Sequence, residues 1–174
     1  EYFPVVELAQ GVAKKKVYNR GVGGSTSFEF LAHIGEVLFD LEPSVVFLNI
    51  GTNDMGLPDY SHEGLKERYR TVFSQMNERL PHTKAYFIAF YPMNEEKVPH
   101  PLAFGARTNE RISEANGAVR EVCGEFPFVT YLDCNAALTD ETGRLKAEYA
   151  IDGVHMWPEA YRHVFEALMP ILEA

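Results

Sequence analysis

Cysteine is nearly absent from this sequence. Cys123 and Cys134 are the only two, too few for a disulfide framework and not spaced as metal ligands. Cys123 falls in a helical pattern and Cys134 just after a strand, so both read as buried free thiols. Positive charge is also scarce: 16 Lys and Arg stand against 25 Asp and Glu, a formal net charge of −9. Phosphate binding needs clustered cations, so no nucleic-acid partner is expected. The one basic run, Lys14-Lys15-Lys16, reads as a solvated helix end. No apolar run reaches the length of a membrane span. No secretory-leader pattern is read within these residues, and a cytoplasmic location is the expectation. Repeats, low-complexity stretches and Pro/Gly/Ser linkers do not occur, so residues 1–174 are read as one domain, long enough to bury a core.

What is present alternates between two periods. "FPVVELAQGVAKK" has helical spacing from about Pro4 to Ala13. "KVYN" reads as a short strand running into Gly21, Gly23 and Gly24. "STSFEFLAHIGEVLFDLEP" reads as a helix capped by Ser25 or Thr26 and stopped by Pro43. "SVVFLNIG", Ser44 to Gly51, is almost continuously apolar, as a strand buried on both faces requires. The amphipathic helix "HEGLKERYRTVFSQMNERL", the strand "KAYFIAFYP", the helix "ARTNERISEANGAVREVCGEF", the strand "PFVTYLD" and the helix "PEAYRHVFEALMPILEA" follow, with Pro158 suited to a first turn. Alternating strands and helices imply an α/β fold with a parallel sheet and helices on both faces. Ligands of such sheets bind beyond the C-terminal strand ends, where "NRGVGGSTS", "GTNDMG" and "IDGVHMW" are expected to converge.

Each cluster carries a chemical and a bland reading. In "IDGVHMWP", Asp152 can fold back on His155, fixing the imidazole tautomer and stabilising its protonated form, as a general base requires. The bland alternative is an Asx-turn at Asp152-Gly153 and a surface histidine. A metal reading is weaker, because no further cluster has ligand spacing. In "NIGTNDMG", the Asn53 amide can project from the sheet edge and donate to an oxyanion, or Asn53 and Asp54 simply make the turn. Asp54 is read as structural. In "NRGVGGSTS", the Gly24 N–H could be a second oxyanion donor, the cluster could cradle a phosphate, or it could be a tight turn needing positive φ. The phosphate reading lacks the last glycine of G-x-G-x-x-G and has no G-x-x-x-x-G-K-[ST]. His33, His62, His82, His100 and His163 have no partner pattern and read as surface or packing residues.

In order and spacing, these blocks resemble the SGNH hydrolases, the GDSL lipase/esterase superfamily. "NRGVGGSTS" is similar to its glycine block, with Gly24 as the oxyanion-hole glycine. "GTND" is similar to its asparagine block, with Asn53 as the oxyanion amide. "DGVH" is similar to its last block, with Asp152 as acid and His155 as base. The resemblance implies a three-layer α/β/α sandwich with a flavodoxin-like parallel sheet. It also implies a serine esterase or acylhydrolase that uses no metal or other cofactor. Its substrate would be a small-molecule, carbohydrate or lipid ester; the acyl chain is left open, as is assembly into a homo-oligomer.

The family's first block, a Gly-Asp-Ser-like turn, is not in this sequence. The resemblance puts the nucleophilic serine a few residues upstream of Glu1, before the helix that begins "EYFPVVELAQ". The central first strand would lie there too. In the order 2-1-3-4-5, omitting it leaves neighbouring strands with buried unpaired backbone groups, each costing about 1–3 kcal/mol. Two other readings stand beside the esterase: a non-catalytic binding module of the same fold, and a nucleotide- or flavin-binding doubly wound domain supported by the glycines alone. "PMNEEKVPHPLAFGAR", residues 92 to 107, is long for a strand-to-helix connection, and its prolines, Phe104 and Arg107 are candidates for a pocket wall.

Overall fold

The structure, a computed structural model, describes residues 3–100 and 103–174. In chain order the helices and strands are α1 (Val5–Leu8), α2 (Ser27–Ala32), α3 (Ile34–Val37), β1 (Val45–Leu48), α4 (His62–Arg79), β2 (Lys84–Ile88), α5 (Asn109–Gly124), β3 (Val129–Leu132) and α6 (Pro158–Leu172). They fall into two compact units. One contains residues 24–90 and 101–133, the other 1–23, 91–100 and 134–174.

The first unit is built on a three-stranded parallel sheet in the order β1-β2-β3. Val45 pairs with Lys84 and Leu48 with Phe87; Ala85 pairs with Val129 and Ile88 with Leu132. Such pairs need crossovers, which α4 and α5 supply. Two right-handed crossovers taken in the same direction put both helices on one face, and α4 and α5 pack on each other there. Their apolar stripes follow the helical period: Leu65, Tyr69, Val72, Phe73 and Met76 are buried on α4, and Ile112, Ala115, Val119 and Val122 on α5. Ser61 and Thr108 cap the two helices through the N–H groups of Gly64 and Arg111. Phe87 is fully buried, worth about 1.5–3 kcal/mol. Tyr69 meets it edge to face at 5.0 Å. The Tyr69 hydroxyl donates to the Ile50 carbonyl, and burial raises its pKa well above the ordinary value.

Side-chain amides close the strand ends. Asn49 Nδ2 donates to the carbonyls of Ile88 and Ala89, both at 3.0 Å. Asn116 of α5 accepts from the Phe90 N–H at 2.8 Å and donates back to the Phe90 carbonyl at 3.0 Å. These contacts explain why β1 stops at Leu48 instead of running from Ser44 to Gly51. Asn49 bonds through its side chain, and Gly51 at φ +120° has left the extended region.

In the second unit, α6 buries Ala160, Tyr161, Val164, Phe165 and Leu168. Pro158 occupies its first turn as expected, where a missing N–H goes unnoticed. Phe3 stacks on Tyr161 at 4.8 Å, and the Lys14 N–H donates to the Leu172 carbonyl. Residues 93 to 98 lie along the loop before α6: Leu145 N–H donates to the Met93 carbonyl, and Asn94 Nδ2 to the Leu145 carbonyl at 2.8 Å.

Four further expectations are corrected. "KVYN" is not a strand; among the described residues it has no ladder partner, Lys16 and Tyr18 face solvent, and Asn19 bonds instead to Gly21 N–H and the Phe3 carbonyl. The first helix spans Val5–Leu8, not Pro4 to Ala13, because the chain turns at Gly11 with φ +76°. The lysine run therefore lies in irregular, bent backbone rather than at a helix end. The helix expected over residues 25–43 is broken at His33 into α2 and α3, with a 3₁₀ turn at Phe39–Leu41. Its first half turns Phe28 outward beneath the Arg68 guanidinium, while the second buries Ile34, Leu38 and Phe39. One straight axis does not serve both. Thr26 does cap α2, in a capping box with Glu29. Cys123 and Cys134 are buried free thiols.

Candidate active site

Asp152 and His155 are brought together by a loop pinned at both margins. Ala150 and Met156 form an isolated antiparallel bridge, and the Trp157 N–H donates to the Tyr149 carbonyl at 2.9 Å. Inside the loop, Asp152 Oδ1 accepts from the backbone N–H groups of Val154 at 3.1 Å and His155 at 2.9 Å. Oδ2 lies 2.7 Å from His155 Nδ1. The Asx-turn and the acid–imidazole pair, alternatives in the sequence, therefore coexist in one carboxylate. Partial burial pushes the Asp152 pKa up. The backbone and side-chain hydrogen bonds from His155, with that of Val154, outweigh it and hold the carboxyl below the ordinary value. An ionised carboxylate accepts, so the Nδ1 proton is the one donated and the pair fixes the tautomer.

Gly153 makes this loop possible. It sits at φ +95°, and its carbonyl accepts from the Asn94 N–H at 2.7 Å. A Cβ there would lie 2.6 Å from the Asn94 carbonyl oxygen. No other residue type has both the conformation and the room. His163, without a pattern in the sequence, contacts Tyr149 Oη at 2.8 Å through Nε2 and packs as a structural residue.

In the sheet unit, Gly24 has φ +79° and lies just before the α2 cap. Of the three clustered glycines it alone has positive φ, so the turn explains one of them. Asn53 opens a 3₁₀ turn, Asn53–Gly56, beyond the end of β1. Its Nδ2 donates to the Ser25 carbonyl at 2.9 Å, which places it beside the Gly24–Ser25 segment. Its Oδ1 accepts from Arg107 Nη2 at 3.2 Å. Phe104 and Arg107, expected at a pocket wall, thus lie by the Asn53 turn: the Phe104 carbonyl oxygen would be 3.8 Å from a Cβ on Gly56. Pro101 and Leu102 of the same loop lie outside the described residues.

Asp54 is fully buried in a network of its own. Its carboxylate accepts from the Ser27 N–H at 2.8 Å, from the Ser27 hydroxyl and from Arg68 Nη2 at 3.0 Å. Arg68 Nε donates to Ser27 Oγ at 2.6 Å. The network ties the start of α2 to the Asn53 turn and to α4, the structural role expected of Asp54. It also takes up Ser27: the Oγ accepts from the Arg68 cation and the side chain is buried, so its oxygen is neither free nor accessible for attack. Arg68 was not singled out from sequence, though a signal existed. It stands three residues after Leu65 and four before Val72, on the stripe that faces inward, where a cation needs a buried counter-charge. Among the described residues no group of three His, Cys, Asp or Glu side chains could hold a metal ion, and no helix is long and apolar enough to cross a membrane.

A model of the GDSL-like Lipase/Acylhydrolase family matches residues 4–163. Among solved structures, one from Streptococcus pneumonia, provisionally named a platelet activating factor, is 27% identical with a TM-score of 0.88, covering 98% of this chain and 78% of that one. A catalytic mutant of an acetylxylan esterase from Geobacillus stearothermophilus is 18% identical with a TM-score of 0.74, covering 97% and 78%, a likeness of fold. An N-acylneuraminate cytidylyltransferase from Escherichia coli O18:K1:H7 is 25% identical over 149 residues, 84% of this chain. The chain spans only 32% of the length of that curated relative.

Proposed function

The chain belongs to the GDSL-like lipase/acylhydrolase family, and on that premise we propose that it hydrolyses carboxylic esters with His155 as general base and Asp152 as its orienting acid. Gly24 and Asn53 supply the oxyanion donors. The observation that supports this most is the 2.7 Å contact between His155 Nδ1 and a carboxylate held ionised by two further hydrogen bonds. With a proton fixed on Nδ1, Nε2 is the nitrogen that takes the proton of an attacking hydroxyl, and Asp152 stabilises the imidazolium so formed. The same proton then passes to the leaving alkoxide, and a second cycle with water as the attacking hydroxyl releases the acid.

The hydroxyl is assigned to the serine of the family's first block, which the resemblance puts before Glu1. The occupied hydroxyl of Ser27 makes that residue an unsuitable substitute. As charge develops on the carbonyl oxygen, the Gly24 N–H and an Asn53 Nδ2–H are donors of the right kind. The leaving group is the alcohol of a small-molecule, sugar or lipid ester.

In the full-length protein, short-chain p-nitrophenyl esters should be turned over. A fluorophosphonate should label a single serine, located by peptide mapping. His155→Ala should abolish turnover, and Asn53→Ala should lower it about 100-fold or more. Wild-type rates in His155→Ala, or labelling of Ser27, would overturn the assignment.

A further inference from the structure

Resting on the oxyanion role of Asn53, we infer that Arg107 is a positioning residue that locks the Asn53 amide with its N–H end toward the substrate oxygen and polarises it. A primary amide has two ends of nearly the same shape and opposite hydrogen-bonding character. Asn53 is held at both. Its Oδ1 accepts from Arg107 Nη2 at 3.2 Å, and its Nδ2 donates to the Ser25 carbonyl at 2.9 Å. A guanidinium only donates and a carbonyl only accepts, so rotating the amide by half a turn would lose both bonds and set like against like. One Nδ2 hydrogen is spent on Ser25; the other remains for a ligand oxygen.

Arg107 has little other reason to be where it is. Among the described residues no carboxylate forms an ion pair with it, and its Nε is shut off from solvent without a hydrogen-bond partner. Burial draws its pKa downward. A partly buried guanidinium without a counter-charge is an expensive ornament, and the polar group it addresses is the Asn53 amide. The loop that presents it is clamped to the same turn. Gly105 sits at φ +66°, and a Cβ there would be 2.9 Å from Gly56 Cα, at the end of the 3₁₀ turn that Asn53 begins. A cation donating to Oδ1 also draws electron density through the amide, and charge-assisted, chained hydrogen bonds strengthen one another. The Nδ2–H thereby becomes a better donor to a developing oxyanion, a gain larger in the transition state than in the ground state.

The competing role for Arg107 is direct binding of an anionic substrate group, and a double-mutant cycle separates the two. The full-length protein and its Arg107→Met, Arg107→Lys, Asn53→Ala and Arg107→Met/Asn53→Ala variants are assayed on p-nitrophenyl acetate, which carries no anion. Arg107→Met should lower kcat about 10-fold, a fraction of what a whole oxyanion donor is worth, with KM changed less than twofold. Arg107→Lys should recover part of the loss, and in the Asn53→Ala background Arg107→Met should add nothing. Full additivity, or an effect confined to KM, overturns the inference.

The side-chain 15N–1H pair of Asn53 gives a readout without turnover. Its two proton shifts should converge in Arg107→Met; an unchanged pair also overturns the inference, and Arg107→Lys serves in both measurements if the methionine variant does not fold. Full activity of Asn53→Ala would instead remove the oxyanion role on which the inference rests, while the amide signal still reports whether Arg107 orients the side chain.

Discussion

Replacing Gly153 by alanine would place a methyl group 2.6 Å from the Asn94 carbonyl oxygen, 2.8 Å from Val98 Cγ2 and 3.0 Å from Val98 N. Two of those neighbours are backbone atoms, which cannot swing aside as a lysine tip could. The residue would also have to hold φ near +95°, which costs a side-chain-bearing residue about 1–2 kcal/mol. Overpacking adds about 1–3 kcal/mol, and the stiffer unfolded chain offsets about 0.4–1 kcal/mol. The expected loss is about 2–4 kcal/mol, or roughly 5–15 °C in Tm. Gly143 provides the control, with φ +81° and nothing within 4 Å of its added Cβ. Gly143→Ala should show conformational strain alone, about 1 kcal/mol. Urea denaturation of the wild type and both variants measures the difference. A Gly153→Ala variant no less stable than Gly143→Ala would refute the claim that Asn94 and Val98 pin this loop.

Asp152 supplies a pH test. Its carboxyl lies below the ordinary 3.8, so its contribution to stability is complete at neutral pH and is lost as pH falls through that depressed value. Asp152→Asn should therefore be less stable than wild type at pH 7, and the gap should narrow as the pH is lowered through the depressed value; urea melts whose gap stays constant from neutral to acid pH would contradict it. Asp54→Ala should be among the most damaging single changes in the sheet unit, about 3–5 kcal/mol, because it strands the Arg68 charge and two Ser27 donors. A denaturation midpoint within error of wild type would rule that out. Ser27→Ala should lose only about 1–2 kcal/mol and keep fluorophosphonate labelling, as gel fluorescence would show.

The parts of the fold legible in the sequence are those in which one segment decides its own structure. The stripes of α4 and α5, the Pro158 start of α6 and the apolar cores of β1, β2 and β3 follow from period and local chemistry. So does the Asp152–His155 pair, because three residues and one permissive glycine suffice to close it. What the sequence hides is settled by partners far along the chain. β1 ends where Asn49 reaches Ile88 and Ala89, and Asn53 is gripped by a residue 54 positions away. The apolar content of "KVYN" says nothing about whether a strand lies beside it to pair with. His33 breaks a helical pattern because two stretches with the same period must face different ways, a demand of packing that no local propensity carries.

The amide closures at the strand ends have a consequence for how this architecture changes over time. Asn49 and Asn116 terminate the ladder with side chains, so the backbone beyond them is released from the spacing of the sheet. Residues could be inserted between Gly56 and Ser61, or exchanged for a different loop, without moving β1 against β2 by a single register step. The two asparagines act as hems: the cloth beyond them can be recut while the weave stays whole.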